Sequence, residues 1–209
     1  MKINEIFYSI QGEGELIGVP TIFIRTSGCN LRCSWCDTKY AYEEGHEMSL
    51  EEILKKTKEY PSTHICITGG EPLLQKDIIG LVQKLSQNRY QVSIETNGSK
   101  SIEELPCLES LMISMDIKCP SSGMQKEMDF SNLDLLSLND QLKFVIGDRK
   151  DYEYAKKIIA EHKPLCSLIM MPVSGTDLQK LADWVLEDGL KVRVLPQLHK
   201  LIWSEKKGV

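Results

Sequence analysis

The sequence predicts an α/β fold, an incomplete TIM-like barrel of about six parallel strands with flanking helices, on three observations. Short strands rich in β-branched residues alternate with segments of helical periodicity, the mark of right-handed βαβ units and a parallel sheet. The chain has 209 residues, whereas a closed eight-stranded barrel typically takes about 250. Polar or Gly-rich turns follow one strand after another, at the end where barrel-like sheets gather their sites.

The elements follow in order. Thr21-Ile-Phe-Ile-Arg25 reads as the first buried strand. After a Cys-rich loop, Ser49 and Glu52 form a capping box that opens an amphipathic helix. His64–Thr68 is the second strand, followed by a helix with Ile79, Leu81, Val82 and Leu85 on its apolar side. Gln91–Glu95, Leu111–Asp116, Leu142–Ile146 and Ser167–Met171 supply four more strands, with a short one at Lys191–Leu195. Helical patterns cover Tyr152–Glu161 and Asp177–Glu187. The turns that should meet at one mouth are Ser27-Gly-Cys29, Gly69-Gly-Glu-Pro72, Thr96-Asn-Gly98 and Lys118-Cys-Pro120.

With no linker, repeat or low-complexity segment, one domain over residues 1–209 is expected. Hydrophobic residues make up 42% and charged residues 26%, enough to bury a core and too apolar for a disordered chain. The 25 Lys and Arg against 30 Asp and Glu give a net charge of −5, the wrong sign for affinity driven by phosphate contacts, so no nucleic-acid partner is expected. No apolar run approaches the roughly 20 residues that span a bilayer, and the opening Met-Lys-Ile-Asn-Glu lacks a signal core. A cytoplasmic protein with no membrane partner is expected. Its seven cysteines, an odd number, suit a reducing compartment in which clustered thiols serve metals or chemistry.

Three of those thiols fall within eight residues, Cys29-Asn-Leu-Arg-Cys33-Ser-Trp-Cys36. A zinc site and a cysteine-held four-iron cluster each want four ligands, and the local set stops at three. One coordination position would be left open; a zinc knuckle or a chance grouping is the minor alternative. Cys66 and Cys166 read as core residues, while Cys107 and Cys119 lie in loops, with Cys119 close enough to the mouth to be a fourth ligand by spacing alone.

The Cys-x3-Cys-x2-Cys spacing after the first strand, with Gly69-Gly70-Glu71-Pro72 after the second, resembles the radical S-adenosylmethionine (SAM) superfamily. The resemblance implies that Cys29, Cys33 and Cys36 hold three irons of a 4Fe–4S cluster and that SAM chelates the fourth. SAM cleavage then gives a 5′-deoxyadenosyl radical that abstracts a hydrogen atom, with the hard chemistry carried by the cofactor. Glu5–Gly14, Gly18–Pro20, Arg25, Cys33–Thr38, Thr68–Gln75, Glu95–Gly98, Asp116–Gly123 and Leu195–His199 are similar to the 7-carboxy-7-deazaguanine synthase family. That family is a set of lyases that contract 6-carboxy-5,6,7,8-tetrahydropterin with loss of ammonia, on the route to queuosine and archaeosine.

The resemblance implies an N-terminal substrate-binding segment at 1–20, a cluster loop at 28–38, and pterin contacts from Ile10, Gln11, Gly12, Glu13, Arg25, Thr68 and His199. An amide, a carboxylate and a guanidinium suit a flat ring that bears amide and carboxylate groups. On residues alone, Gln11–Gly14 reads as a plain turn between two strands, and the lesser alternative for Arg25 is an ion pair with a surface acid. Gly69, Gly70, Glu71, Asp116 and Lys118 are implied at SAM, with Glu71 on its ammonium. Thr38 is implied at Mg²⁺, which takes one or two protein oxygens and fills its shell from substrate and water. Met170–Ser174 departs from the family pattern, with Met171 where some relatives place Gln. Trp35 either shields the cluster or packs on the first helix. A flavodoxin or ferredoxin donor and a homodimer complete the implied partners. Two other readings stand beside this one: an activase of glycyl-radical enzymes, which has no use for a ring pocket at Gln11–Gly14 and Arg25, and a non-enzymatic zinc module.

Overall fold

A computed structural model describes residues 1–173, 177–204, 206 and 208. Among the described residues, nine strands form a single sheet: β1 (Lys2–Ile10), β2 (Pro20–Thr26), β3 (His46–Glu47), β4 (His64–Gly69), β5 (Gln91–Thr96), β6 (Leu111–Ile117), β7 (Gln141–Ile146), β8 (Ser167–Pro172) and β9 (Arg193–Val194). Their order is β3-β1-β2-β4-β5-β6-β7-β8-β9, an open array. Every pairing from β2 to β9 is parallel, so the expected six strands are present with the short seventh. The helices are α1 (Leu50–Thr57), α2 (Ile78–Gln87), α3 (Arg149–His162), α4 (Leu178–Glu187) and α5 (Leu198–Trp203).

Two features differ from the sequence reading, and two connections run without a helix, as that reading left them. Lys2–Ile10 is a full strand, antiparallel to β2, so the N-terminal segment is sheet before it is loop. The connections β5 to β6 and β6 to β7 carry no α-helix; short 3-10 turns at Pro120–Ser122, Gln125–Glu127 and Phe130–Asp134 lie in the second of them. Pro120, and Gly123 in the left-handed region, stop helix growth there. Helix α3 begins three residues ahead of the expected Tyr152 because Asp148 caps it, its carboxylate accepting from Asp151 N at 2.9 Å.

Side-chain alternation explains where the site lies. Ile22, Ile24, Ile65, Ile67, Val92, Ile94, Ile113, Met115, Leu142, Phe144 and Ile146 point to one face and pack with Ile53, Leu81, Leu85, Tyr152, Ile158 and Leu181 of the helices. On the opposite face the same strands carry Arg25, Cys66, Thr68, Glu95, Asp116 and Lys143, all of which line one cavity. Period-two alternation thus gives the parallel sheet one greasy side and one polar side. The polar side is shielded from bulk water by the loops.

The capping box forms as expected. Ser49 Oγ accepts from Glu52 N at 3.2 Å, and Glu52 Oε2 accepts from Ser49 N at 2.8 Å. Ser49→Ala should lower the stability of the cluster-free protein by about 1 kcal/mol. Urea unfolding followed by circular dichroism reads this directly, and an unchanged midpoint would show that the box adds nothing to α1.

Candidate active site

The cavity, of about 260 Å³, opens at the carboxyl ends of the parallel strands and collects the residues singled out above. Cys29, Cys33 and Cys36 form one side. Ile10, Gln11, Gly12, Glu13, Arg25, Thr68 and His199 line it, as do Gly69, Gly70, Asp116, Lys118 and Thr38. Of the SAM-side residues expected there, only Glu71 is missing from the wall.

The Cys loop is fixed by its backbone on two sides. Gly70 N donates to Thr26 O at 3.1 Å and Glu71 N to Gly28 O at 2.8 Å, while Ser34 N donates to Ser122 O at 3.1 Å. A Cβ on Gly70 would collide with the Gly28 carbonyl, so Gly at this position lets two strand-end loops touch. All three thiols are free and only partly buried. Burial pushes up the Cys29 and Cys33 thiols, and the neighbouring Cys36 adds to the effect. Lys118 offsets it at Cys33.

Of the other cysteines, Cys119 is fully buried outside the cavity wall, so the spacing argument for it as a fourth ligand fails. Cys66 does line the cavity, but it lies on the β4 floor among Glu95, Lys143 and Gln11. Three thiols on one loop at the cavity wall fit a four-iron cluster that lacks one protein ligand. A structural zinc would need closure by a fourth.

Glu71 requires a correction. It is completely buried, and its Oε1 accepts from Leu73 N at 3.0 Å and Thr96 Oγ1 at 2.9 Å, while Oε2 accepts from Asn97 N at 2.7 Å. Both oxygens are spent on the chain's own donors, so Glu71 ties the loop after β4 to the end of β5. It does not face a ligand's ammonium. Burial raises its carboxyl, with those hydrogen bonds opposing the rise.

Across the cavity, the Gln11–Glu15 loop is clamped from two directions. Glu13 Oε2 accepts from Lys143 Nζ at 3.0 Å and Oε1 from Gln197 Nε2 at 2.7 Å. Gln141 Oε1 accepts from Glu15 N at 2.7 Å, and Leu198 N donates to Gly12 O at 2.9 Å. A Cβ on Gly12 would strike the His199 ring, so the glycine lets that ring settle on the loop. Burial would raise the Glu13 carboxyl, but Lys143, His199 and the Gln197 hydrogen bond outweigh it and hold it at about 2.

Arg25 and Thr68 are register partners on β2 and β4. Arg25 Nε donates to Glu5 Oε1 at 2.7 Å, and the guanidinium lies over the rings of Phe7 and Tyr40, 5.4 and 5.8 Å from their centroids. Arg25 thus pairs with an acid and also faces the cavity, so the two sequence readings of it are not exclusive. Thr38 Oγ1 donates to Asp37 Oδ1 at 2.9 Å, and Asp37 pairs with Lys200 at 3.1 Å. Lys118 pairs with Asp116 at 2.9 Å.

Trp35 lines the cavity with the three cysteines, on the inner sheet face and not on the first helix. It packs with Val145, Ile169 and Met171 on the inner sheet face, and its Nε1 donates to Ser121 Oγ at 3.2 Å. Met171 is wholly buried in that patch, Val173 lines the cavity, and Ser174 lies outside the described residues. Sequence reasoning missed Glu95, Lys143, Asp37, Gln197 and Lys200 on the wall. The signal for two of them was present: Glu95 and Lys143 are charges on strands whose opposite face is a run of alternating apolar residues.

Comparison with known proteins agrees with this geometry. Residues 23–185 match the family model of the radical SAM superfamily. The chain is 42% identical over 209 residues to 7-carboxy-7-deazaguanine synthase of Thermoplasma acidophilum, covering all of both chains. It is 45% identical over 206 residues to that of Methanospirillum hungatei, covering 97% of this chain and 85% of the relative. The crystal structure of QueE from Escherichia coli superposes with a TM-score of 0.78 at 28% identity, over 95% of this chain and 94% of that one.

The Glu71 geometry generates a test. Glu71→Gln turns one acceptor into a donor facing N–H groups, and should destabilise the cluster-free protein by about 1–3 kcal/mol. Denaturant unfolding checks this. A variant of wild-type stability whose only defect is SAM affinity would restore Glu71 to the ligand.

Proposed function

The chain belongs to the 7-carboxy-7-deazaguanine synthase family of the radical SAM superfamily, and from that membership we propose how its residues divide the work on 6-carboxy-5,6,7,8-tetrahydropterin. It is a radical SAM lyase of 7-deazapurine biosynthesis. When bound, the 4Fe–4S cluster and SAM supply a carbon radical able to abstract hydrogen, and the protein positions what they act on.

The observation that carries the assignment is that Glu13 and Arg25 share one cavity with the three thiols. Cys29, Cys33 and Cys36 are the cluster ligands. Gly69 and Gly70 bring backbone against SAM, and Lys118, neutralised by Asp116, adds a buried cation there. On the pterin side, Ile10, Gln11, Gly12, Glu13 and Thr68 read the ring face and edge, Arg25 receives the ring's carboxylate, and His199 closes the site from α5. Cluster loop, Gly70 and loop 11–15 are each fixed by backbone hydrogen bonds, which favours a preorganised site.

Mg²⁺ belongs at Thr38. Its hydroxyl lies in the cavity wall beside Asp37, and oxygen donors from one or two side chains with substrate and water complete the shell this ion prefers. Exposed Leu201 and Ile202 on α5 supply apolar area for a homodimer. Flavodoxin or ferredoxin supplies the electron. Seven unpaired cysteines suit the reducing cytoplasm, and among the described residues no helix is long and apolar enough to cross a membrane.

Anaerobic reconstitution with iron and sulfide, then addition of SAM, reductant, magnesium and the pterin, should yield 7-carboxy-7-deazaguanine by mass and ultraviolet absorbance. SAM cleavage without that product would remove the substrate assignment and favour the activase reading. Thr38→Ala should lose magnesium stimulation of turnover while keeping its iron content and SAM cleavage. A magnesium response equal to wild type would take the ion away from Thr38.

A further inference from the structure

The turn after β5 reaches the cluster side of the cavity through one side chain that the roles above leave unused. Asn97 is buried and lines the cavity. Its Nδ2 lies 3.9 Å from Cys29 Sγ and 3.3 Å from Asn30 Oδ1. Leu31 N donates to the same sulfur at 3.4 Å. Cys29 therefore faces two N–H donors, one from its own loop and one from a different strand end.

The orientation of the Asn97 amide is forced by its neighbours. Oδ1 accepts from Ser99 N at 3.0 Å and from Ser99 Oγ at 2.6 Å. A backbone N–H can only donate, so the amide oxygen occupies that side and the nitrogen turns to Cys29. Ser99 Oγ in turn accepts from Asn30 Nδ2 at 2.8 Å, and Asn30 Oδ1 accepts from Asn97 Nδ2. Asn97, Ser99 and Asn30 thus close a ring in which each hydrogen bond fixes the next. The backbone is pinned too, with Asn97 N donating to Glu71 Oε2 at 2.7 Å.

Asn97 consequently stands between two groups that bear negative charge and donates to both: the buried Glu71 carboxylate from its backbone, and the Cys29 sulfur from its side chain. A carboxylate buried beside a cluster opposes the arrival of an electron, and an N–H aimed at a ligand sulfur favours it. Reduction adds charge that spreads onto the sulfurs, so a donor there stabilises the reduced cluster more than the oxidised one.

We propose that Asn97 tunes the reduction potential of the cluster: its amide donates to the Cys29 sulfur and makes the cluster easier to reduce, while Ser99 and Asn30 hold the amide in that orientation. The inference rests on the assignment of Cys29, Cys33 and Cys36 to a 4Fe–4S cluster and adds a residue that sets its electronics. Glu71 gains a second purpose, since the carboxylate that joins the two strand ends also places the donor. A radical reaction of this kind starts only after the cluster accepts an electron, so the donor acts on the step that precedes all contact with the pterin.

The test is a redox titration of the reconstituted enzyme, without SAM, followed by electron paramagnetic resonance of the reduced cluster. Asn97→Ala should lower the midpoint potential by about 59 mV, a tenfold loss in the one-electron equilibrium constant. Asn97→Asp keeps the acceptor for Ser99 and puts a carboxylate oxygen where the amide nitrogen stood, so its midpoint should fall further. Ser99→Ala, which leaves Asn97 in place with one of its two orienting donors, should fall less. A merely structural role for Asn97 predicts the opposite sign, because water admitted to the cluster stabilises the reduced form, which carries one more negative charge. Asn97→Asp and Ser99→Ala carry the test if Asn97→Ala does not load iron. Midpoints equal to wild type in both Asn97 variants, or a rise in Asn97→Ala, overturn the inference. Wild-type enzyme that takes up iron and sulfide yet gives no reduced-cluster signal overturns the cluster assignment instead.

Discussion

The ion pair between Lys143 and Glu13 joins parts of the molecule that the sheet alone leaves apart. The sheet is open, with β1 toward one end and β7 to β9 toward the other, and an open sheet does not enclose a cavity. The loop after β1 crosses that gap. Lys143 and Gln141 seize it from β7, Gln197 and Leu198 from the closing segment, and Arg193 of β9 reaches Glu15 at 3.4 Å. Of these, the Lys143 contact is the buried charge pair, and breaking such a pair by removing one partner leaves an uncompensated buried charge. The cavity wall opposite the cluster loop thus depends on a contact between residues 130 positions apart.

The second constraint is the division of labour between the two sheet faces. Stability comes from the outer face, where strand isoleucines and leucines pack under four amphipathic helices and apolar burial favours folding at about 25 cal/mol per Å². The inner face buries charge, which favours no fold by itself. Its cost is contained because nearly every charged group there meets a partner: Arg25 meets Glu5, Lys118 meets Asp116, and Lys143 meets three carboxylates. Glu71 shows the same economy from below the cavity, where one carboxylate satisfies two backbone N–H groups and a hydroxyl at the meeting of two strand ends.

Much of this was legible in the sequence. The βα rhythm gave every parallel strand within a residue or two, because β-branched runs such as Ile65–Ile67 have few other uses. The cysteine spacing and the Gly69-Gly70 turn marked the cluster side. What escaped depended on partners distant in the chain. Glu71 carries no local sign that Asn97 and Thr96 will consume it. Gln197 and Lys200 become wall residues only when α5 folds back over Gly12. Trp35 found its pocket on the inner face of β7 and β8, which spacing around the cysteines does not reveal. Lys143 was the readable omission, since a lysine flanked by Leu142 and Phe144 in a parallel strand must either find a buried acid or break the strand.

The central claim is that the clamped loop and the closing segment together form the ring-binding wall of the cavity. Amide hydrogen exchange of the reconstituted enzyme, with SAM present, compared with and without 6-carboxytetrahydropterin, tests it most directly. The account predicts that ligand slows exchange jointly in residues 11–15 and 197–199, with little change in the helices on the outer face. Protection confined to other segments, with those two unaffected, would contradict it.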